Sequence, residues 1–171
     1  GMLGIENSDT NDLARNARVK ASAETEDGPA ANVIDGYNRD VDDGKTHQWR
    51  AEMKDGQPWI ELSWKNAVKF NTVQLIFDTG LHRTLRLSGD DRVYNMQERH
   101  AQPETIADYV IEARSRNKTT TLATVRNNYL RRVEHTFEPR EADAIRITVQ
   151  KTNGDTVAKI FEVRCYLEGT E

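Results

Sequence analysis

The chain has 171 residues, 30% of them charged and 36% hydrophobic, with a formal net charge of −4. That length suits one domain with a real core, and the negative balance argues against nucleic acid or an anionic membrane as partner. No run of about 18 apolar residues is present to form a membrane-spanning helix, and the single Cys165 excludes an intrachain disulfide.

Residues 1–16 are polar and read as a lead-in segment, with Gly1 before Met2 resembling a tag-cleavage scar and Asp12 placed to cap a helical turn at Leu13 and Ala14. Residues 17–25 alternate as a strand, and Glu26-Asp27-Gly28-Pro29 is turn chemistry. Residues 30–34 read as a short helical or 3₁₀ turn leading into Asp35-Gly36, where Gly accepts positive φ. A loop crowded with Asp40, Asp42 and Asp43 follows, then Trp49, then a strand from Trp59 to Leu62 with Pro58 allowed just before it.

Further strands are expected at residues 72–77, beginning near 85–87, and at 109–114, 119–126, 132–137, 144–149 and 160–167. The spacing of 115–118 reads as a hairpin connection, and 88–103 as a polar surface loop. Cys165 lies in the last apolar run, where a buried, inert thiol is expected. Strands at such intervals without a long amphipathic helix indicate an all-β sandwich with one wet face on each sheet.

The order Lys20-Ala21-Ser22, Asn32 to Gly36, Trp49, then Trp59-Ile60-Glu61-Leu62 resembles the discoidin-like, F5/8 type C or galactose-binding-like family, which includes many carbohydrate-binding modules. The resemblance extends through Tyr109-Val110-Ile111, Asn127-Asn128, Ala144-Ile145-Arg146-Ile147 and Ile160-Phe161-Glu162-Val163. It departs where Leu122 replaces a frequent Trp and where a long insert follows Leu87. The resemblance implies a jelly-roll β-sandwich of two antiparallel sheets over residues 17–168. Asp12-Leu13-Ala14-Arg15 and residues 77–83 are also similar to discoidin-like domains at the C-termini of bacterial FAD-dependent oxidoreductases. A parent protein of that kind implies an adjacent enzyme domain and a periplasmic or extracellular setting.

No Gly-x-Gly-x-x-Gly, Walker loop, His-Glu-x-x-His or Gly-x-Ser-x-Gly is present, and the four histidines are scattered. A flavin needs a strand, a Gly-rich turn and a helix, which the chain lacks, so no FAD and no catalytic residue are expected in this chain. The Asn38, Asp40, Asp42 alternation fails the EF-hand template, whose Gly falls on Asp43 and whose Glu falls on Trp49. The family resemblance instead implies a structural Ca²⁺ held by Asp35 and Glu162, with carbonyls near Asn32 and Asn38.

Sugar sites need an aromatic ring and planar polar groups, and the resemblance places them on loops at one end. The candidates are His47, His82, Arg83, Asn127-Asn128 and Tyr129, with Tyr94 as another stacking ring. Trp49 and Trp59 fall at core positions of the family and are expected to pack, whereas Trp64 is open between packing and stacking. Two functions follow. One is a non-catalytic module that targets an attached enzyme to a glycan; the other is a docking domain of a flavin oxidoreductase that binds no sugar.

Overall fold

The computed structural model describes residues 9–39, 41, 43–79 and 102–169. The expected strand at 85–87 and most of the expected loop at 88–103 lie outside the described residues. The described residues form seven strands: β1 (Arg18–Ala21), β2 (Trp49–Glu52), β3 (Trp59–Phe77), β4 (Ile106–Ser115), β5 (Lys118–Val125), β6 (Arg132–Thr152) and β7 (Val157–Tyr166). The only helical pieces among the described residues are 3₁₀ turns at Leu13–Asn16, Ala30–Ile34 and Met53–Asp55.

Every strand pairing is antiparallel. One layer has the order β1, the first part of β3, the last part of β6, β4, β5; Ile60 pairs with both Ala21 and Ile147, and Ile111 pairs with Ile147 and Ala123. The other has β2, β7, the last part of β3 and the first part of β6; Leu75 pairs with Val163 and Val133. The result is the all-β sandwich expected from strand spacing, but with two pairs of expected strands fused. Residues 59–62 and 72–77 belong to one strand, and so do 132–137 and 144–149.

The reason lies in the register. Shifts between Ser63 and Val68 and between Phe70 and Thr72 let β3 bend from one layer into the other without ending. Exposed Lys65, Asn66 and Ala67 occupy the bend, which gives the sequence a loop-like interruption. Pro139 falls in the matching gap of β6, between the paired residues Thr136 and Arg140, where no ladder N–H is required.

Alternation fills the space between the layers. Ile60, Leu62, Leu75, Phe77, Tyr109, Ile111, Ile145, Ile147 and Ile160 are fully buried there. Trp49 is fully buried too, and its indole N–H donates to the Ala23 carbonyl at 3.0 Å. Truncating a buried aromatic of this kind costs about 3–5 kcal/mol. Trp64 is a packing residue, half-buried against the core with its N–H on the Leu13 carbonyl at 2.9 Å. Trp59 differs from expectation: Ile60 takes the inward position, so Trp59 faces outward under the Arg146 guanidinium, 3.8 Å from its ring centroid.

The lead-in is fastened to the far end of the chain. Asp12 Oδ1 accepts from Ala14 N, capping the first 3₁₀ turn, and from Cys165 N on β7, both at 3.0 Å. Asn71 holds Glu168 in the same region, accepting from its N–H at 2.8 Å. Cys165 is buried, and burial raises its thiol pKa, in line with the inert reading. At Gly28 a Cβ would stand 2.4 Å from Arg50 Cβ, so the turn before residues 30–34 closes on β2 only with glycine.

Candidate functional site

The loops joining the strands at the end of the sandwich opposite Asp12 and Cys165 form one hydrogen-bonded surface. Asn128, 8% exposed, donates from Nδ2 to the carbonyls of Ile106 and Leu130 and accepts on Oδ1 from Leu130 N. Asn153 donates to the carbonyls of Thr105 and Asn128 at 3.0 and 2.9 Å. Thr105 Oγ1 donates to the Asp78 carbonyl at 3.1 Å, and Gln48 Nε2 reaches Asp78 Oδ2 at 3.2 Å. Arg131 donates to the Asn38 carbonyl and lies 5.5 Å from the centre of the Phe161 ring. Its burial lowers the guanidinium pKa, against the Asp78 carboxylate, which raises it.

On this fixed base stand Tyr129, 60% exposed, and Leu130, 49% exposed. Asn127 precedes them at φ 58, a left-handed conformation that Asn tolerates, and its N–H donates to Asp108 Oδ1 at 2.9 Å. The expected residues Asn127 and Tyr129 are therefore together on the end loops. His82, Arg83 and Tyr94 lie outside the described residues. Asn128 is an expected residue too, but it is buried as a brace of the turn, whereas Arg131, Asp78 and Gln48 are not among the expected site residues. Their only signal in the sequence is adjacency to the Asn127-Asn128-Tyr129 turn or to a strand end.

His47 is largely enclosed by its neighbours. Its side chain is 7% exposed, with Nδ1 at 2.8 Å from Asp35 Oδ2 and Nε2 at 2.9 Å from Asp43 Oδ2. Tyr37 covers it, ring centres 4.2 Å apart. Both ring nitrogens face carboxylates, which only accept, so the geometry calls for the doubly protonated imidazolium. Desolvation opposes that charge, but the bonds to Asp35 and Asp43 outweigh it and raise the His47 pKa. Asp35 is raised chiefly by burial, against bonds from the Tyr37 N–H and His47. Asp43 is lowered chiefly by its bond from the Lys45 N–H, then by His47.

The four residues expected to hold Ca²⁺ are engaged by donors of the protein itself. Asp35 accepts from the Tyr37 N–H and holds His47; the Asn38 carbonyl accepts from Arg131. The Asn32 carbonyl accepts from the Asp35 N–H at 3.2 Å, and its amide nitrogen donates to the carbonyls of Thr46 and Gln48. Glu162, with a side chain 1% exposed, faces Arg164 through Nε and Nη2 at 3.0 and 3.1 Å. Among the described residues no group of three or more His, Cys, Asp or Glu is arranged to hold a metal ion. In this arrangement His47 faces Asp35, Arg131 donates to the Asn38 carbonyl, and Arg164 faces Glu162.

Residues 12–82 match a family model described as Domain of unknown function (DUF7402). A search of curated proteins finds no match. Solved structures match along nearly the whole chain. The family 32 carbohydrate-binding module of Clostridium perfringens NanJ, solved with galactose, is 21% identical with a TM-score of 0.62, covering 91% of this chain and 97% of its own. Chitosan-binding module 1 of a Paenibacillus sp. IK-5 chitosanase/glucanase is 17% identical with a TM-score of 0.65, covering 91% and 98%. The family 32 module of Streptococcus pneumoniae EndoD is 12% identical with a TM-score of 0.68, covering 92% and 99%. The fold is that of these modules, an all-β sandwich.

Proposed function

We propose that this chain is a non-catalytic carbohydrate-binding module that holds a glycan on its end loops and keeps an attached enzyme domain near its substrate. The observation that carries the reading is the exposed Tyr129–Leu130 pair on a base fixed by Asn128. A sugar presents one apolar C–H face and a rim of hydroxyls. An aromatic ring on a fixed turn can take the first, and Asn127 offers planar polar atoms to the second. The likeness to modules solved with galactose and named for chitosan supports the same reading. Attachment contributes through raised local concentration without chemistry of its own.

The test is a glycan array probed with the wild type and with Tyr129→Ala. A single sugar–ring stack contributes about 1 kcal/mol, so retention on the array's best ligand falls about 5-fold in the variant, with the melting temperature unchanged. A blank array from folded wild-type protein, or equal retention by the variant, overturns the reading. A blank array also transfers the case to the docking role on a neighbouring enzyme domain.

A further inference from the structure

On the outer face of the β1–β3–β6–β4–β5 layer, far from the end loops, cross-strand registry sets Lys20, Glu61, Arg146 and Glu112 in a row. Arg114 stands two residues beyond Glu112, and a depression of about 420 Å³ lies over the carboxylates of Glu61 and Glu112, the guanidiniums of Arg114, Arg116 and Arg146, and Asn117 and Thr119. Glu61 is its floor, with a side chain only 4% exposed. Its Oε1 accepts from Arg114 Nη2 and, at 3.4 Å, from Arg146 Nη2, while Lys20 Nζ lies 4.0 Å from Oε2. Arg146 is held a second time by Trp59, and its buried Nε has no hydrogen-bond partner. Arg116 adds a third guanidinium from the two-residue β4–β5 turn, where its φ is 55.

We infer that this depression is a second binding site, for the carboxylate of an acidic sugar. The inference rests on the glycan-binding reading and extends it to a different surface. Glu61 fixes Arg114 and Arg146, and with Lys20 and Arg116 the four cations outnumber the two carboxylates, Glu61 and Glu112. Each Arg has five N–H groups in a planar fork, so Glu61 uses only a part of the available donors. The remaining donors match a planar carboxylate, and a charge-assisted pair is roughly twice as strong as a neutral one. Asn117 and Thr119 add neutral donors and acceptors for ring hydroxyls, and the polar walls offer no apolar pocket for a lipid or an aromatic ligand. Because Glu61 and Trp59 already hold two of the guanidiniums, less side-chain freedom is lost on binding.

The experiment titrates ¹⁵N-labelled protein with tri-galacturonic acid and, separately, with neutral galactotriose. The expected result is that the acid shifts the amides of Arg116, Asn117 and Thr119 while the neutral trisaccharide leaves them in place. Arg116→Glu weakens the acid at least tenfold, Arg116→Asn weakens it less, and added salt weakens it further. Asn suits the positive φ, and neither variant removes a partner of Glu61, so both fold. Equal shifts from both sugars, shifts confined to the loops around Tyr129, or an Arg116→Glu variant that binds as the wild type does would each overturn the inference. In Tyr129→Ala the sheet-face titration is unchanged, so this site and the end-loop site fail or succeed separately.

Discussion

The Tyr109 hydroxyl lies 2.7 Å from His135 Nε2, with the phenol fully buried. Burial lowers the His135 pKa from its ordinary 6.5 and raises that of Tyr109, so the hydroxyl donates to a neutral imidazole. Acid removes that acceptor and strands a buried hydroxyl. The unfolded chain takes up the proton near pH 6.5, while the folded chain does so only at lower pH. The unfolded state therefore binds more protons in that interval, and stability falls as pH drops from the ordinary value through the folded one. His47 acts in the opposite sense: with its folded pKa raised, its contribution is full below 6.5 and is lost as pH rises through the folded value.

A comparison of wild type with His135→Gln, which keeps an acceptor and cannot titrate, isolates the first effect. Denaturant melts between about pH 7 and pH 5 are expected to show the wild type losing stability relative to the variant; parallel curves would remove the role given to His135. At this scale the sequence was partly legible. Asn127-Asn128-Tyr129 announced a turn with an aromatic beside it. The engagement of His47 did not show, because the pattern that identified Asp35 as a turn residue carries no information on which side chain folds back over it.

Asp12 sits 2% exposed with two backbone donors on one oxygen, joining the first 3₁₀ turn to the last strand. Its cap was readable from Asp12-Leu13-Ala14, whereas its bond to a strand 153 positions away was not. Asp12→Ala leaves two buried N–H groups unpaired and is expected to cost about 2–4 kcal/mol, roughly 5–15 °C in melting temperature for a domain of this size. Asp12→Asn, which keeps Oδ1 as acceptor, loses distinctly less. Thermal melts of the two variants distinguish the cap from a general effect of charge removal.

The loop after Gly36 makes a contrasting prediction. With Asp35, Asn38 and Glu162 already engaged by His47, Arg131 and Arg164, melting in excess Ca²⁺ and in chelator is expected to coincide. A cation bound only by the folded state would raise the midpoint as its concentration rises. Strand positions were legible because alternation is a local signal, but strand identity was not. Residues 65–67 and Pro139 look like breaks in sequence, and only the paired bulges show that β3 and β6 continue through them.

The two long strands make the layers dependent on each other. Neither layer opens without breaking ladders on β3 or β6 that continue into the other, so amide exchange in both is expected to follow global unfolding. Slow exchange in one layer with fast exchange in the other would contradict that. The tie between Asp12 and Cys165 has a further consequence, of orientation. It gathers both ends of the described chain at one pole, and the loops bearing Tyr129 occupy the other. A molecule anchored to a biosensor chip through either end presents the same loops to the solution, so ligand response is independent of which end carries the anchor.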